Sequence, residues 1–241
     1  MANTYFQFKQ FTIHQDRSAM KVTTDACLFG AWVSQQVKSE KSKVKNALDI
    51  GTGTGLLALM FLQKNPDTVT DAIEIDEAAF EQAKENADAS LWKDKINVIH
   101  NDVKNLSTVN KYDIIISNPP FYENELRSPN DKRNVAHHSD DLGLNELLAL
   151  TKNLLTGNGR FFFLFPFKRK NDIEKAFRLH DIFINQLILV KQSVKHDHFR
   201  IMIEGSLQKN ETIIKEISIW NDQQQYTNEF IELLKDYYLY L

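Results

Sequence analysis

Residues 46–55 read Asn46-Ala47-Leu48-Asp49-Ile50-Gly51-Thr52-Gly53-Thr54-Gly55, and this stretch decides the fold. Its first half is short and apolar, as a buried strand is, and it runs directly into three glycines at alternate positions. An amphipathic stretch, residues 56–64, follows and is closed by Asn65-Pro66, so the pattern predicts strand, tight turn, helix. Glycines there allow a sharp turn and let a ligand approach main-chain atoms without a Cβ in the way. The nicotinamide spacing Gly-x-Gly-x-x-Gly would need glycine at position 56, where this chain has Leu56. Asp49 also argues against a pyrophosphate, which it would repel; a carboxylate suits a ligand carrying an ammonium and a sulfonium.

Outward from this turn, apolar runs alternate with helical patterns. Residues 69–75, 96–100, 112–117, 160–165, 182–190 and 199–207 read as further strands, which with 46–50 predicts seven. Residues 77–91 and 144–155 read as helices between them. Strands separated by helices predict an α/β fold with a mostly parallel, doubly wound sheet, helices on both faces. In such a sheet the ligand lies outside the carboxyl ends of the strands. Glu74 ends the second of these strands, 23 positions after Gly51, where an acid would hold two ribose hydroxyls. Ile75 follows it, and Asp102 with Val103 follows the third strand, placed to meet an adenine edge. For each acid taken singly, a turn or helix-cap role is the alternative.

The fourth strand ends in Ser117-Asn118-Pro119-Pro120-Phe121. Two prolines fix φ and remove two N–H donors, which makes the segment stiff. An exocyclic amine is a poor nucleophile because its lone pair is delocalised into the ring. If the Asn118 side-chain oxygen and the Pro119 carbonyl accept its hydrogens, the nitrogen is drawn towards tetrahedral geometry. Phe121 would stack on the base. Catalysis of this kind is mostly positioning, with no metal. A rigid turn is the alternative for the four residues alone.

Together these motifs resemble the class I, Rossmann-like S-adenosylmethionine methyltransferases, over residues 46–207. The resemblance implies that Asp49 and the turn Gly51-Thr52-Gly53-Thr54-Gly55 face the methionine part of S-adenosyl-L-methionine. It implies that Glu74 and Ile75 hold the ribose region and that Asp102 and Val103 hold the adenine. Asn-Pro-Pro followed by an aromatic is similar to the signature of amino methyltransferases, a group that acts on adenine, cytosine, the guanine 2-amino group and release-factor glutamine.

The N-terminal portion narrows the choice. Phe6-Gln7-Phe8-Lys9-Gln10-Phe11-Thr12-Ile13, then Gln15-Asp16-Arg17, then Met20-Lys21-Val22-Thr23-Thr24-Asp25-Ala26 and Gly30-Ala31-Trp32 resemble the start of the bacterial tRNA(Val) adenine-N6-methyltransferases. That resemblance implies methylation of N6 of the adenine 3′ of the anticodon, tRNA position 37, with the anticodon loop as partner. It also implies that residues 21–25, Lys21 and Thr24 among them, cover the methionine end of the cofactor. Thr24 departs from the small residue expected before Asp25. The division expected is an N-terminal segment, 1–45, over the site and a cofactor-binding domain, 46–241.

Bulk properties fit an ordinary soluble enzyme, with 42% hydrophobic and 25% charged residues. No apolar run approaches the ~20 residues of a membrane span, and the first residues do not read as a signal peptide. Cytoplasmic location is the expectation. Cys27 is the only cysteine, which excludes a disulfide framework and a cysteine-rich zinc site. His137-His138 has no third ligand at recognisable spacing. The net charge is −3, yet residues 1–45 carry seven Lys/Arg against three acids, and residues 160–200 nine against four. Two basic stretches on an acidic body would suit a phosphate backbone, with solvated surface lysines as the alternative. The polar loop at 122–141, with Arg127, Lys132 and Arg133, is long enough to expect a role in clamping substrate. Other amino groups (rRNA guanine, DNA adenine, a release-factor glutamine) remain open as substrates, as does an RNA-binding protein without transfer activity.

Overall fold

A computed structural model describes residues 3–38, 44–106, 111–119 and 142–241. Pro120, Phe121 and the loop at 122–141 lie outside the described residues.

The core strands in chain order are β3 (Asn46–Ile50), β4 (Val69–Glu74), β5 (Ile96–His100), β6 (Tyr112–Ser117), β7 (Leu155–Pro166), β8 (Phe183–Ser193), β9 (His198–Ser206) and β10 (Ile213–Trp220). They form one sheet in the order β10-β8-β9-β7-β6-β3-β4-β5. β3 to β7 are mutually parallel, β9 runs antiparallel between β7 and β8, and β10 lies parallel to β8. The sheet has eight strands, one more than the seven predicted. The extra one is β10, whose outer edge faces solvent and whose Lys215-Glu216 pair interrupts the apolar pattern by which the others are recognised. A second, two-stranded antiparallel sheet, β1 (Tyr5–Gln7) with β2 (Thr12–His14), lies in the N-terminal portion and is additional to the predicted strands.

β7 shows why an interior strand carries a continuous apolar run, here residues 161–165. Side chains alternate between faces, and both faces are covered by helices. Phe162 and Leu164 enter one core cluster, and Phe161, Phe163 and Phe165 the other. On the first face lie α1 (Thr24–Lys38), α2 (Leu56–Lys64), α3 (Glu77–Asp88) and α6 (Asn228–Leu234). On the second lie α4 (Leu144–Leu154) and α5 (Lys170–Leu179), each burying residues at three- and four-residue spacing. In α2, residues 56–62 are all buried, because the helix is enclosed by the sheet, α1 and α6.

Phe8, Phe11 and Ile13 of the N-terminal portion belong to the same cluster as α1 and α2. No described helix is long and apolar enough to cross a membrane. Among the described residues no group of three His, Cys, Asp or Glu stands close enough to hold a metal ion.

Candidate active site

Four parallel strands end side by side. In the register of the sheet Ile50 stands opposite Ile73 and Ser117, and Glu74 opposite His100, so the segments leaving β3, β4, β5 and β6 gather at one edge.

Gly51, Gly53 and Gly55 all have positive φ, at 67°, 58° and 80°. A β-carbon at Gly51 or Gly53 would meet nothing within 4 Å, so those two leave an open cradle. At Gly55 it would lie 3.6 Å from the Ala83 carbonyl of α3, which is ordinary contact. The turn is held by its neighbour strand, since the N–H groups of Gly51 and Thr52 donate to the Ile73 carbonyl at 2.9 and 3.0 Å.

Asp49 is fully buried behind this turn. Its Oδ2 accepts the Thr52 hydroxyl at 2.6 Å. Its Oδ1 is also buried and has no partner in good hydrogen-bond geometry among the described residues. Burial pushes the Asp49 carboxyl up to about 7, against the opposing pull of the Thr52 hydroxyl and the Ala58 N–H; nearby Glu74 adds to the rise.

Glu74 ties the turn to the end of β4. Its Oε2 accepts the Gly53 N–H at 2.8 Å, and its Oε1 accepts those of Ile75 and Asp76 at 2.9 and 3.0 Å. Ile75 itself is 52% exposed, an apolar surface at the mouth of the site. Asp102 caps a short turn of 3₁₀ helix through the Lys104 N–H, at 2.9 Å. The Val103 side chain is buried with Ile50 and Ile73. At the end of β6, Ser117 donates to the Ile50 carbonyl at 2.8 Å, Pro119 is buried and Asn118 is half-buried. No hydrogen bond holds the Asn118 side chain among the described residues.

The sequence-predicted residues Asp49 and Thr52 are therefore joined by one hydrogen bond and Gly53 and Glu74 by another, at adjacent positions of the turn, with Asn118 one residue beyond the Ser117–Ile50 link. Lys21 and Thr24 are exposed, and neither hydrogen-bonds to the glycine turn among the described residues. The Lys21 ammonium instead donates to the Gln15 carbonyl. Sequence reasoning missed Gln82 and Asn86 of α3, which are buried and hold the backbone of residues 14–17. The signal was present: two carboxamides lie on the helix face defined by Ala79, Ala83 and Ala87, and buried amides need partners.

Comparison with known proteins bears directly on this site. The model of the methyltransferase small domain matches residues 33–201. The tRNA1(Val) (adenine(37)-N6)-methyltransferase of Christiangramia forsetii is 39% identical, covering 100% of both chains. The chain belongs to this methyltransferase family. Among solved structures, a predicted O-methyltransferase from Agrobacterium tumefaciens aligns with TM-score 0.65 at 12% identity, over 88% of this chain and 96% of that one. The glycopeptide N-methyltransferase MtfA in complex with S-adenosylmethionine aligns with TM-score 0.54 at 9% identity, over 74% and 94%. These two show the shared fold, that of the class I methyltransferases.

The cofactor of the family is S-adenosylmethionine, and the residues present fit it. A buried carboxylate whose Oδ1 makes no well-formed hydrogen bond among the described residues suits a ligand with positive charge. The space over Gly51 and Gly53, which a β-carbon would fill, suits a ligand lying on main chain.

Proposed function

We propose that this chain methylates N6 of adenine 37 in the anticodon loop of tRNA(Val), using S-adenosylmethionine, and that it works in the cytoplasm. The observation that carries the reading is the bond between the two halves of the site. Ser117 fixes the segment bearing Asn118 and Pro119 to the end of the strand that bears the glycine turn. That pairing of a cationic-ligand cradle with an amide-bearing turn is what amino-group methylation requires, and full-length likeness to the Christiangramia forsetii enzyme supports RNA adenine as the acceptor.

In this reading Asp49, with the turn Gly51 to Gly55, holds the methionine part of the cofactor. Glu74 and Ile75 hold the ribose region, and Asp102 and Val103 the adenine. Lys21 and Thr24 belong to a segment, within residues 1–45, that lies over the methionine end of the domain formed by 46–241. When bound, the cofactor supplies an electrophilic methyl group on a sulfonium.

The chain's own groups prepare the acceptor. The Asn118 side-chain oxygen and the Pro119 carbonyl accept hydrogen bonds from the two N–H groups of the exocyclic amine, which turns the nitrogen lone pair out of the ring. Pro120 stiffens the segment and Phe121 stacks on the base. The surplus proton leaves to water after alkylation. An anticodon-loop adenine is single-stranded, so presenting it costs less than extruding a base from a duplex.

The test is transfer of labelled methyl from S-adenosylmethionine to unmodified total tRNA, followed by nucleoside analysis. Label in N6-methyladenosine of tRNA(Val) is the expected outcome. Asn118→Ala should retain the cofactor and lose transfer by at least about a hundredfold, on the scale of losing an oriented catalytic contact. Label in ribosomal RNA or a release factor, with none in tRNA, would overturn the substrate assignment.

A further inference from the structure

The chain between β2 and α1 is tied down at both ends. At the first end, the Asn86 Oδ1 accepts the His14 N–H at 2.9 Å while its Nδ2 donates to the carbonyls of His14 and Thr54, both at 2.9 Å. One helical turn earlier, the Gln82 Oε1 accepts the Arg17 N–H at 3.3 Å. At the second end, Arg200 of β9 donates through Nε to the Asp25 Oδ2 at 2.7 Å. Arg200 stands opposite Pro166, the last residue of β7.

The positions of these anchors define a path. Thr54 belongs to the glycine turn, and β3 and β6 lie between β4 and β7 in the sheet. Residues 15–25 therefore run from the flank of α3, past the start of α2, to the carboxyl end of β7. The strands that end in the glycine turn and in Asn118 both lie between the anchors. The crossing is also built internally. The Gln15 side chain, 4% exposed, donates to the Asn3 carbonyl at 2.9 Å and accepts the Val22 N–H at 2.7 Å. Ser18 donates to the Met20 carbonyl at 3.1 Å.

Asn86 is 1% exposed and Gln82 is 0% exposed. Burying an amide is unfavourable unless it is bonded, and Asn86 is bonded through both its oxygen and its nitrogen, Gln82 through its oxygen alone among the described residues. Packing α3 does not need them, since alanines already fill the rest of that face. What they do is grip backbone: Asn86 grips His14, where the crossing begins, and the glycine turn at once, and Gln82 grips Arg17 within the crossing. We infer that Asn86, assisted by Gln82, is a positioning residue for cofactor binding, holding the crossing against the glycine turn so that the cofactor is enclosed between them. The inference rests on the functional reading above and adds a group that touches neither substrate nor cofactor.

The experiment compares the full chain with Asn86→Ala, Asn86→Asp and Gln82→Leu. S-adenosylhomocysteine affinity is measured by calorimetry, transfer by steady-state kinetics, and the crossing by limited trypsin cleavage after Arg17 and Lys21. Asn86→Ala is expected to weaken S-adenosylhomocysteine about tenfold by lowering the population of the enclosed state, with kcat at saturating cofactor within about twofold. Asn86→Asp keeps only the acceptor bond and should weaken it comparably. Cleavage after Arg17 and Lys21 should speed up, and the ligand should protect those bonds less than in the parent chain.

A folded Asn86→Ala with parental affinity and parental cleavage overturns the inference. So does a loss in kcat with affinity intact, which would place Asn86 in the chemistry. If Asn86→Ala does not fold, Gln82→Leu decides: it removes one bond and must move affinity and cleavage the same way. If the parent chain fails to bind S-adenosylhomocysteine, the functional reading falls, and the trypsin comparison alone still tests the clamp.

Discussion

The hydroxyl of Ser117, the last residue of β6, donates to the carbonyl of Ile50, the last residue of β3, across 2.8 Å in a buried position. Two adjacent parallel strands are thus locked at the level where both chains leave the sheet, one into the glycine turn and one into Asn118. Ser117→Ala should cost about 1 kcal/mol of stability, the ordinary worth of one buried hydrogen bond. Its larger effect should fall on kcat, because a small misplacement of Asn118 costs rate steeply, while cofactor affinity stays near parental. Thermal melting and steady-state kinetics on one preparation check this; a variant that loses affinity and keeps kcat would show that the link serves the cofactor instead.

Gly53 and Gly55 provide a matched pair. Both have positive φ, so alanine at either should cost about 1–2 kcal/mol of backbone strain. Only at Gly53 does the new β-carbon project into empty space beside the site, whereas at Gly55 it meets Ala83. Gly53→Ala should therefore lose far more cofactor affinity than Gly55→Ala at similar loss of thermal stability. Equal affinities in the two variants would remove the glycine turn from the cofactor site.

How far the sequence carries the fold depends on whether the information is local. The turn Asp49 to Gly55, Glu74 at a strand end, and the Asn118-Pro119 turn each announce themselves within a few residues, and the sheet brings their elements to one edge. β10 was not legible because it is an edge strand, with Ile213 and Ile214 more than half exposed and two charges at its centre. α5 is hard to read from sequence because only Ile173, Ala176 and Phe177 carry its buried face and the other seven of its ten residues are mostly polar or charged. Asn86 and the Arg200–Asp25 pair are tertiary: partners 72 and 175 positions apart in sequence leave no spacing to recognise.

Arg160 of β7 pairs with Glu204 of β9 at 3.0 Å, with side chains only 12% and 6% exposed. The Gln186 amide donates to the other oxygen of Glu204 at 2.9 Å, so the carboxylate is held from two strands. Removing one member leaves a buried charge unmatched, and Arg160→Leu should cost about 3 kcal/mol, near the lower end for breaking such pairs. The double variant Arg160→Leu, Glu204→Leu should recover much of that loss, since no buried charge is left behind. Denaturant unfolding of the single and double variants tests it, and a double variant less stable than the single would mean that the pair's own attraction dominates.

The buried carboxyl of Asp49 links cofactor binding to pH. Its pKa in the folded chain is raised from 3.8 to about 7, with burial as the first cause. The folded state therefore binds a proton more tightly than the unfolded state. Asp49's contribution to the stability of the free chain should therefore be present below about pH 4 and be lost as pH rises to about 7, levelling off above that. A positively charged ligand reverses the preference, because it stabilises the ionised form. Cofactor affinity should accordingly rise with pH up to about 7 and then flatten, with a proton released on binding at the lower end. Calorimetry in buffers of different ionisation enthalpy measures that proton directly. Asp49→Asn should remove this contribution to the stability profile and the pH dependence of cofactor affinity, leave the free chain more stable than the parent above about pH 7, and bind cofactor more weakly. An affinity that does not change with pH in the parent chain would mean that Asp49 does not face the positive end of the ligand, and the methionine assignment of the glycine turn would have to be withdrawn.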